Sequence, residues 1–593
     1  MKQNIKKYIK EYYKYYFLII IIALIVCSGL LMNGIPNGHD LHAHMARAVG
    51  MSKEIAEGQF PPLVVSNLAN GFGYAWNLFY PPLAPYLMAI IQIFVFSYVN
   101  ALKLLLILSF IVAGISMFKL VEEITSNKNT SLLASIIYIC SPYILTDMYI
   151  RMSVGEILGY AFLPILFIGI YNLFEKDGNK HILITVGAVS ILLSHNISAV
   201  FAVLLSGIYV IFNLNKLNKN ILKKIGINVV FIILIVLFFY LPFLEGKSFT
   251  DYKVFTGMSS TEELKSHSIN ISQLLFGKMQ YGNSEKIENT NLNIENDMCM
   301  QIGLFIVIPV LFTPFVYKDI KKENRKNYIL TIVTGLLFTF AVTPLFPYEI
   351  MPEQVSVIQF PWRLLLIVTF LWSIIAAVNI QKLFKKIEMK EIMVMTIFIL
   401  TYIAPLIFAN TYYEGLTDDK YTQIDKFSET TTYSDGCAWL EYLPKKAFDN
   451  YDYLRNRNQE VAIIEGDIDI TKQEKQGSSM IIEYENHSEN SKIELPYLYY
   501  PGYEIKINGQ NSDYYESEMG FIELAISENT NGEITVKYTG TRLARITWIV
   551  SLIFLILFII YSINLCIKCQ KMKKEKNINH KKYLVDKTKE ESK

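Results

Sequence analysis

Residues 16–33 read YFLIIIIALIVCSGLLMN, and after four further residues the chain turns to GHDLHAHMARAVGMSKEIAEGQFPP, 38–62. A membrane span needs ~20 mostly apolar residues. The first run is too long for the apolar core of a cleavable signal and has no small-residue cleavage site before the polar turn. It is therefore expected to stay as a helix in the bilayer. The second run places Asp40 and three of the chain's eight histidines where that helix leaves the bilayer.

The apolar pattern recurs along the chain, and hydrophobic residues make up 52% of the 593. Thirteen candidate stretches stand at 16–33, 82–98, 102–118, 130–146, 157–173, 182–194, 198–213, 225–243, 301–317, 328–345, 363–380, 391–409 and 546–567. Several are shorter than a full span. The sequence thus predicts a polytopic α-helical membrane protein. A net charge of only +2 gives no reason to expect a nucleic-acid partner.

Lysine and arginine collect in cytoplasmic loops, which orients the spans. The N-terminus (Lys2, Lys6, Lys7, Lys10, Lys14), 215–224, 318–326, 381–390 and 568–582 are all basic. Placing them inside puts 34–81, 244–300, 346–362 and 410–545 outside, with both termini cytoplasmic. Two inside termini require an even number of crossings, so about twelve of the stretches cross. The segment 82–98 is then re-entrant or interfacial, or 182–213 is miscounted.

Within the first outer loop, MARAVGMSKEIAEG (45–58) is loosely amphipathic and Asp40 lies near its start, where helix N-termini favour anions. NGFGYAWNLFYPPLAPYL (70–87) reads as a stiff folded loop. Residues 411–545 form a water-soluble module on the outside. SMIIEYE (479–485), KIELPYLYY (492–500), YEIKI (503–507), FIELAI (521–526) and EITVKY (533–538) alternate as half-buried strands. Turn signals at 501, 508 and 531 punctuate them, and a small antiparallel sandwich fits. The expected organisation is a transmembrane domain over 1–410, the β-sandwich over 411–545, a last span at 546–567 and a basic tail at 568–593. EYLP (441–444) precedes the sheet as its anchor.

Ionisable residues at membrane depth are costly and usually functional. DMYIRMSVGEILGY (147–160) carries Asp147, Arg151 and Glu156, LLSHNISA (192–199) carries His195, and VIQFPWRLLL (357–366) carries Arg363. All lie at the outer boundary with Asp40. Asp40 and His44 are four apart and share a helix face, a spacing suited to a carboxylate–imidazole base. With His42 they also make a divalent-cation set. A solvated helix cap is the plainer reading. The plainer readings elsewhere are a local Asp147–Arg151 ion pair, an Arg363 snorkelling to headgroups and a structural His195. Against the snorkelling, Arg363 suits bidentate binding of a lipid phosphate.

Together, GHDLHAHMARAVGMSKEIAEGQFPP, NGFGYAWNLFYPPLAPYL, RMSVGEILGYAFLP, LLSHNISA, IQFPWRLL and EYLP, in this order over most of 35–445, resemble the signatures of bacterial membrane proteins labelled 6-pyruvoyl-tetrahydropterin-synthase-related. Pterin synthase activity itself belongs to a small soluble zinc enzyme, a fold this chain does not suggest. The architecture is similar to the GT-C superfamily of membrane glycosyltransferases, which implies a GT-C-like bundle of about 12–13 transmembrane helices with an extracytoplasmic C-terminal β-sandwich. The same resemblance implies a polyprenyl-phosphate-linked sugar as donor, a cell-surface acceptor and residence in the plasma membrane. Asp40, with His44 as partner and Glu156 as second acid, would be catalytic. Arg363, Arg151, Asp147, His195, Tyr80 and Trp362 would bind substrate. Asp40, His42 and His44 are the one candidate cation set, and Asp-Leu-His in place of the acidic pairs of some relatives puts metal dependence in question. A lipid-linked-precursor transporter and a membrane-anchored glycan-binding protein are the competing readings.

Overall fold

The structure, a computed structural model, describes residues 2–256, 260–287, 296–384, 387–410, 412–417, 436–527 and 531–591, with side chains described between 11 and 570. The side chains of Lys2, Lys6, Lys7 and Lys10, residues Lys385 and Lys386, part of the expected outer module (418–435) and the tail side chains beyond 570 lie outside this description.

Among the described residues the chain is mostly helical from 2 to 407, with longer non-helical stretches at 57–75 and after 276, then mainly β between 462 and 538, and closes on the helix Arg542–Glu591. Six helices among the described residues are long and apolar enough to cross a membrane: Tyr98–Thr125, Val154–Glu175, Lys219–Lys247, Pro361–Leu383, Met389–Ile407 and Arg542–Gln570. The pair Lys128–Ile139 and Pro142–Arg151 passes the same test together, as a broken span or a re-entrant loop bent by 41° where Pro142 restarts the helix.

The other apolar stretches form shorter, broken or more polar helices, for local reasons. Leu83–Val95 has 13 residues, about 20 Å of helix against a hydrocarbon core of ~30 Å. Ile182–Leu192 and Asn196–Phe212 have 11 and 17 residues. The stretch 301–317 divides into Leu304–Leu311 and Thr313–Val316, the second opening on a proline. Lys322–Val342 begins on a charged turn, and the first helix, Lys2–Val26, gives way to a 3-10 turn at Ser28–Leu31.

The amphipathic helix of the first loop runs Leu41–Ala56, starting four residues earlier than its apolar pattern suggests. The C-terminal strands form two facing antiparallel sheets. With β1 at Ile35–Pro36 and β2 at Tyr413–Glu414, the later strands are β3 Ala462–Glu465, β4 Ile468–Gln476, β5 Ser479–Asn486, β6 Ser491–Leu498, β7 Tyr503–Ile507, β8 Gln510–Asn511, β9 Tyr515–Glu516, β10 Phe521–Ile526 and β11 Asn531–Tyr538. The orders are β3-β6-β10-β9 and β4-β5-β11-β7-β8.

Asn508 and Gly509 both take positive φ in the β7–β8 hairpin, as its turn type requires. The third expected turn is different: Asn531 and Gly532 open β11 itself, paired with Glu485 and Tyr484. A β-carbon on Gly532 would stand 2.3 Å from the Asn508 side chain, which packs over it.

The sandwich rests on the first loop. The Leu498 N–H donates to the Phe72 carbonyl at 3.0 Å, and the Phe72 and Phe521 rings meet edge to face at 5.1 Å. EYLP anchors in a wider sense than expected. The Tyr442 ring stacks on Phe79, the Tyr500 hydroxyl donates to its carbonyl at 3.0 Å, and the Glu441 and Leu443 carbonyls accept from Val254 and Lys253.

Candidate functional site

Asp40 is placed by main-chain bonds from two directions. β1 pairs with β2, which fixes the approach of the chain. The N–H groups of His39 and Asp40 then donate to the carbonyls of Ile150 and Arg151 at 3.0 and 2.8 Å. Gly38 permits that closeness, since a β-carbon on it would lie 2.6 Å from the Met152 side chain. Asp40 occupies the N-cap position of Leu41–Ala56 without capping it through its side chain.

The partner segment, Asp147–Arg151, is a single π-helical turn closed by Met152 in the left-handed region. Wide turns of this kind displace side chains from helical register. Here the displacement lets Arg151 pair with Asp147 and, at 2.8 Å, with Glu156. Tyr143 donates to the other Glu156 oxygen, and the Arg151 guanidinium lies 4.5 Å over the Trp362 ring. The local ion pair that spacing suggests is therefore real, but it extends to a third charge.

Gly155, next to Glu156, packs against the Ser194–His195 turn. His195 caps Asn196–Phe212, its Nδ1 accepting from the Ser198 N–H at 3.3 Å and lying 2.9 Å from the Ser198 hydroxyl. Tyr80 stands between His44 and His195, with ring centroids 6.1 and 6.3 Å away. The Arg363 guanidinium lies 5.6 Å over the Trp362 ring that Arg151 also covers, and a β-carbon on Gly155 would stand 3.3 Å from the Tyr80 hydroxyl. Arg363 is half-buried. Its Nη1 donates to the Gln359 amide oxygen at 2.6 Å, while its Nε is a buried donor with no acceptor.

Asp40, His44, Tyr80, Asp147, Arg151, Glu156, His195, Trp362 and Arg363 thus form one neighbourhood. Two expectations need correction. The set Asp40, His42 and His44 does not assemble: residues two apart on a helix point to different sides, and His42 is 3.0 Å from the Glu414 carboxylate. Among the described residues no three His, Cys, Asp or Glu side chains gather as metal ligands. Trp362 lies beneath the cluster rather than at its surface, 1% exposed and stacked on Phe360, with its indole N–H on the Ser284 hydroxyl at 2.9 Å.

Burial pushes the His44 imidazole down to about 4 against the pull of Asp40, so the ring is neutral at pH 7. Three residues escaped the sequence reading. Arg47 is 1% exposed and donates to the carbonyls of Tyr80 and Pro81 at 2.6 and 2.8 Å and to the Asn77 side chain at 3.0 Å. Its signal was the Pro81–Pro82 pair, which cannot donate in regular structure and leaves carbonyls open. Tyr143 gave no signal in the sequence. Glu441, in EYLP, is pushed up to about 7 by burial and feels the Asp40 charge.

A family model described as 6-pyruvoyl-tetrahydropterin synthase related domain, membrane protein, matches residues 78–412. An uncharacterized protein of Lactococcus lactis subsp. cremoris is 26% identical over 358 residues, 58% of this chain and 56% of its own. The chain thus spans about half the length of that relative. Among solved structures, arabinofuranosyltransferase AftD from Mycobacteria aligns over 75% of this chain and 28% of its own, with 12% identity and TM-score 0.41. ArnT from Cupriavidus metallidurans, bound to undecaprenyl phosphate, aligns over 75% and 81%, with 10% identity and TM-score 0.39.

Proposed function

The chain belongs to the 6-pyruvoyl-tetrahydropterin synthase related family of membrane proteins, and from its charge cluster we propose that it is a membrane glycosyltransferase using a polyprenyl-phosphate-linked sugar. The observation that carries this reading is the joining of three distant parts of the chain: the Asp40 N–H bonds to the Arg151 carbonyl, Arg151 pairs with Glu156, and Arg151 and Arg363 lie 4.5 and 5.6 Å over the one Trp362 ring. A polyprenyl phosphate keeps its chain in lipid and its charged head at the border. A site for it needs cations and a base at helix ends. Glu156 stands in the first turn of Val154–Glu175, and Arg363 in the turn that opens the Pro361–Leu383 span.

In this reading Asp40 takes the proton of an acceptor hydroxyl as that oxygen bonds to the anomeric carbon. The bond from that carbon to the phosphate oxygen breaks, and its electron pair leaves with the phosphate. Arg363, with an unused buried Nε–H, stabilises the charge that grows there. His44 is the neutral neighbour of Asp40. Asp147, Arg151 and Trp362 hold Glu156 in place rather than touching substrate, since Arg151 is already bonded to both carboxylates. Assigned to the outer face of the plasma membrane, the site would serve a glycan, lipid or protein of the cell surface. No step is routed through a metal.

The test is the full chain in proteoliposomes with a polyprenyl-phosphate-linked sugar. Asp40→Asn is expected to abolish transfer while expression and insertion stay normal. Transfer at the wild-type rate in that variant overturns the assignment. Translocation of the lipid without any transfer by the wild type would make the chain a carrier instead.

A further inference from the structure

The helices that carry Glu156 and Arg363 near their first turns run away from the cluster, and their other ends border a second space. A cavity of about 310 Å³ is lined by both, and by Tyr98–Thr125, Asn196–Phe212 and Lys322–Val342. Glu156 and Lys176 are separated by about 30 Å of helix, the thickness of a hydrocarbon core. The cavity mouth therefore lies at the opposite border of the membrane from the charge cluster.

Its two ends differ in chemistry. The mouth carries Lys176, Lys321 and Lys382 with the amides of Asn324 and Asn327. The inner wall is Phe167, Leu205, Phe370 and Leu371. Phe167 and Phe370 lie about 13 and 18 Å further along their helices than Lys176 and Lys382. A polar mouth over a deep apolar wall fits one acyl chain with a charged head.

The mouth selects the head. Lys176 and Lys382 have no ion-pair partner among the described residues, and Lys321 reaches Glu323, the one carboxylate lining the mouth, only at 3.9 Å. Glu175 nearby is held by Lys216 and by the Asn327 Nδ2, at 2.8 Å from the latter. That bond fixes the Asn327 amide, and its Oδ1 is left as a buried acceptor without a donor. The site thus offers cations and also asks for a donor. An ionised phosphate monoester brings acceptors alone, whereas a phosphodiester with a hydroxylated head brings both.

We infer that this cavity binds an anionic glycerophospholipid, its phosphate on Lys176, Lys321 and Lys382, a headgroup hydroxyl on Asn327 and one acyl chain along Phe167, Leu205 and Leu371. Basic pockets between membrane helices are suited to anionic lipid heads. The site is independent of the glycosyl-transfer reading and shares none of its residues.

The test is native mass spectrometry of the full-length protein in detergent, with thermal unfolding measured alongside. Phosphatidylglycerol, phosphatidylcholine, undecaprenyl phosphate and sodium phosphate are supplied in turn. Phosphatidylglycerol is expected to be retained at least tenfold over phosphatidylcholine. K176Q/K382Q, a change near the surface that leaves the fold intact, lowers that retention at least tenfold, and Leu371→Trp lowers it with the lysines in place. Equal retention of the two phospholipids, or unchanged retention in K176Q/K382Q, overturns the inference. Stabilisation by sodium phosphate equal to that by phosphatidylglycerol assigns the lysines to a free anion and overturns the lipid. Tighter retention of undecaprenyl phosphate assigns the cavity to that carrier. If Leu371→Trp does not fold, the lysine variant decides alone.

Discussion

Gly155 approaches Ser194 so closely that a β-carbon on it would stand 2.5 Å from the Ser194 carbonyl oxygen. The clash is with main chain, so a side-chain rotation cannot relieve it. Gly155→Ala must part the first turn of Val154–Glu175 from the His195 turn and draw Glu156 away from Tyr80 and His195. Overpacking of this kind costs about 1–3 kcal/mol, and the expected outcome is a lowered unfolding temperature with loss of transfer. Gly207, with nothing near its missing side chain, is the control. Gly207→Ala should be neutral or stabilise by up to about 1 kcal/mol.

Arg151 is the only cation bonded to Asp147 and Glu156 among the described residues, and all three are buried. Arg151→Met leaves two carboxylates without their counter-charge. Removing one partner from a buried pair typically costs about 3–5 kcal/mol. The double variant Asp147→Asn/Arg151→Met should recover part of that loss, because one orphaned charge is gone. Thermal unfolding of the four proteins in one detergent measures the coupling. Additive losses would mean that the ion pair carries no shared energy.

The strands of the sandwich and most long helices were legible because each buries one face or stripe, which stamps a period on the sequence. β5 alternates buried and exposed along most of its length. The seating of Asp40 against the Arg151–Glu156 pair carried no such stamp. It depends on a main-chain bond from Asp40 to Arg151 and on a π-helical turn, neither of which has a side-chain pattern. Periodicity also misled. Arg47 sits in a loosely amphipathic run, where a charged residue is expected on the wet face, yet it is buried under the Pro81–Pro82 turn. Helix breaks were illegible for a simpler reason: an apolar run such as 301–317 looks continuous in sequence but divides at Phe312, ahead of Pro314.

Arg47 gives a direct test of that buried turn. Arg47→Met keeps the length of the stem and leaves the carbonyls of Tyr80 and Pro81 without their donor. Each orphaned buried acceptor costs about 1–3 kcal/mol. Arg47→Lys should rescue little, since a single ammonium lacks the planar fork that reaches Asn77 and both carbonyls. Full rescue by lysine, in unfolding temperature and transfer rate, would reduce Arg47 to a point charge.

A pH dependence of stability is expected at Glu54, under the sandwich and outside the membrane helices. Its carboxylate accepts from the Ser66 N–H and hydroxyl at 2.7 and 2.5 Å and from the Gln59 amide at 2.5 Å, and Gln59 reaches Ser478 of the sandwich at 3.3 Å. Burial nevertheless outweighs these bonds and pushes the group from an ordinary 4.5 up to about 7. Glu57 adds to the rise and Lys53 opposes it. The folded state therefore holds the proton more tightly than the unfolded chain. The resulting stability is full below about 4.5 and is lost as pH rises through 7. The size is on the order of 3 kcal/mol. His44, pushed down, acts in the opposite sense, its contribution being lost as pH falls from 6.5 towards 4. Comparing Glu54→Gln with wild type cancels His44 and isolates Glu54. From about pH 5 to about pH 8 the variant should gain on the wild type in unfolding temperature, because it has no proton to lose. Parallel curves across that range would show that Glu54 is ionised in the fold at neutral pH, with its three donors outweighing burial.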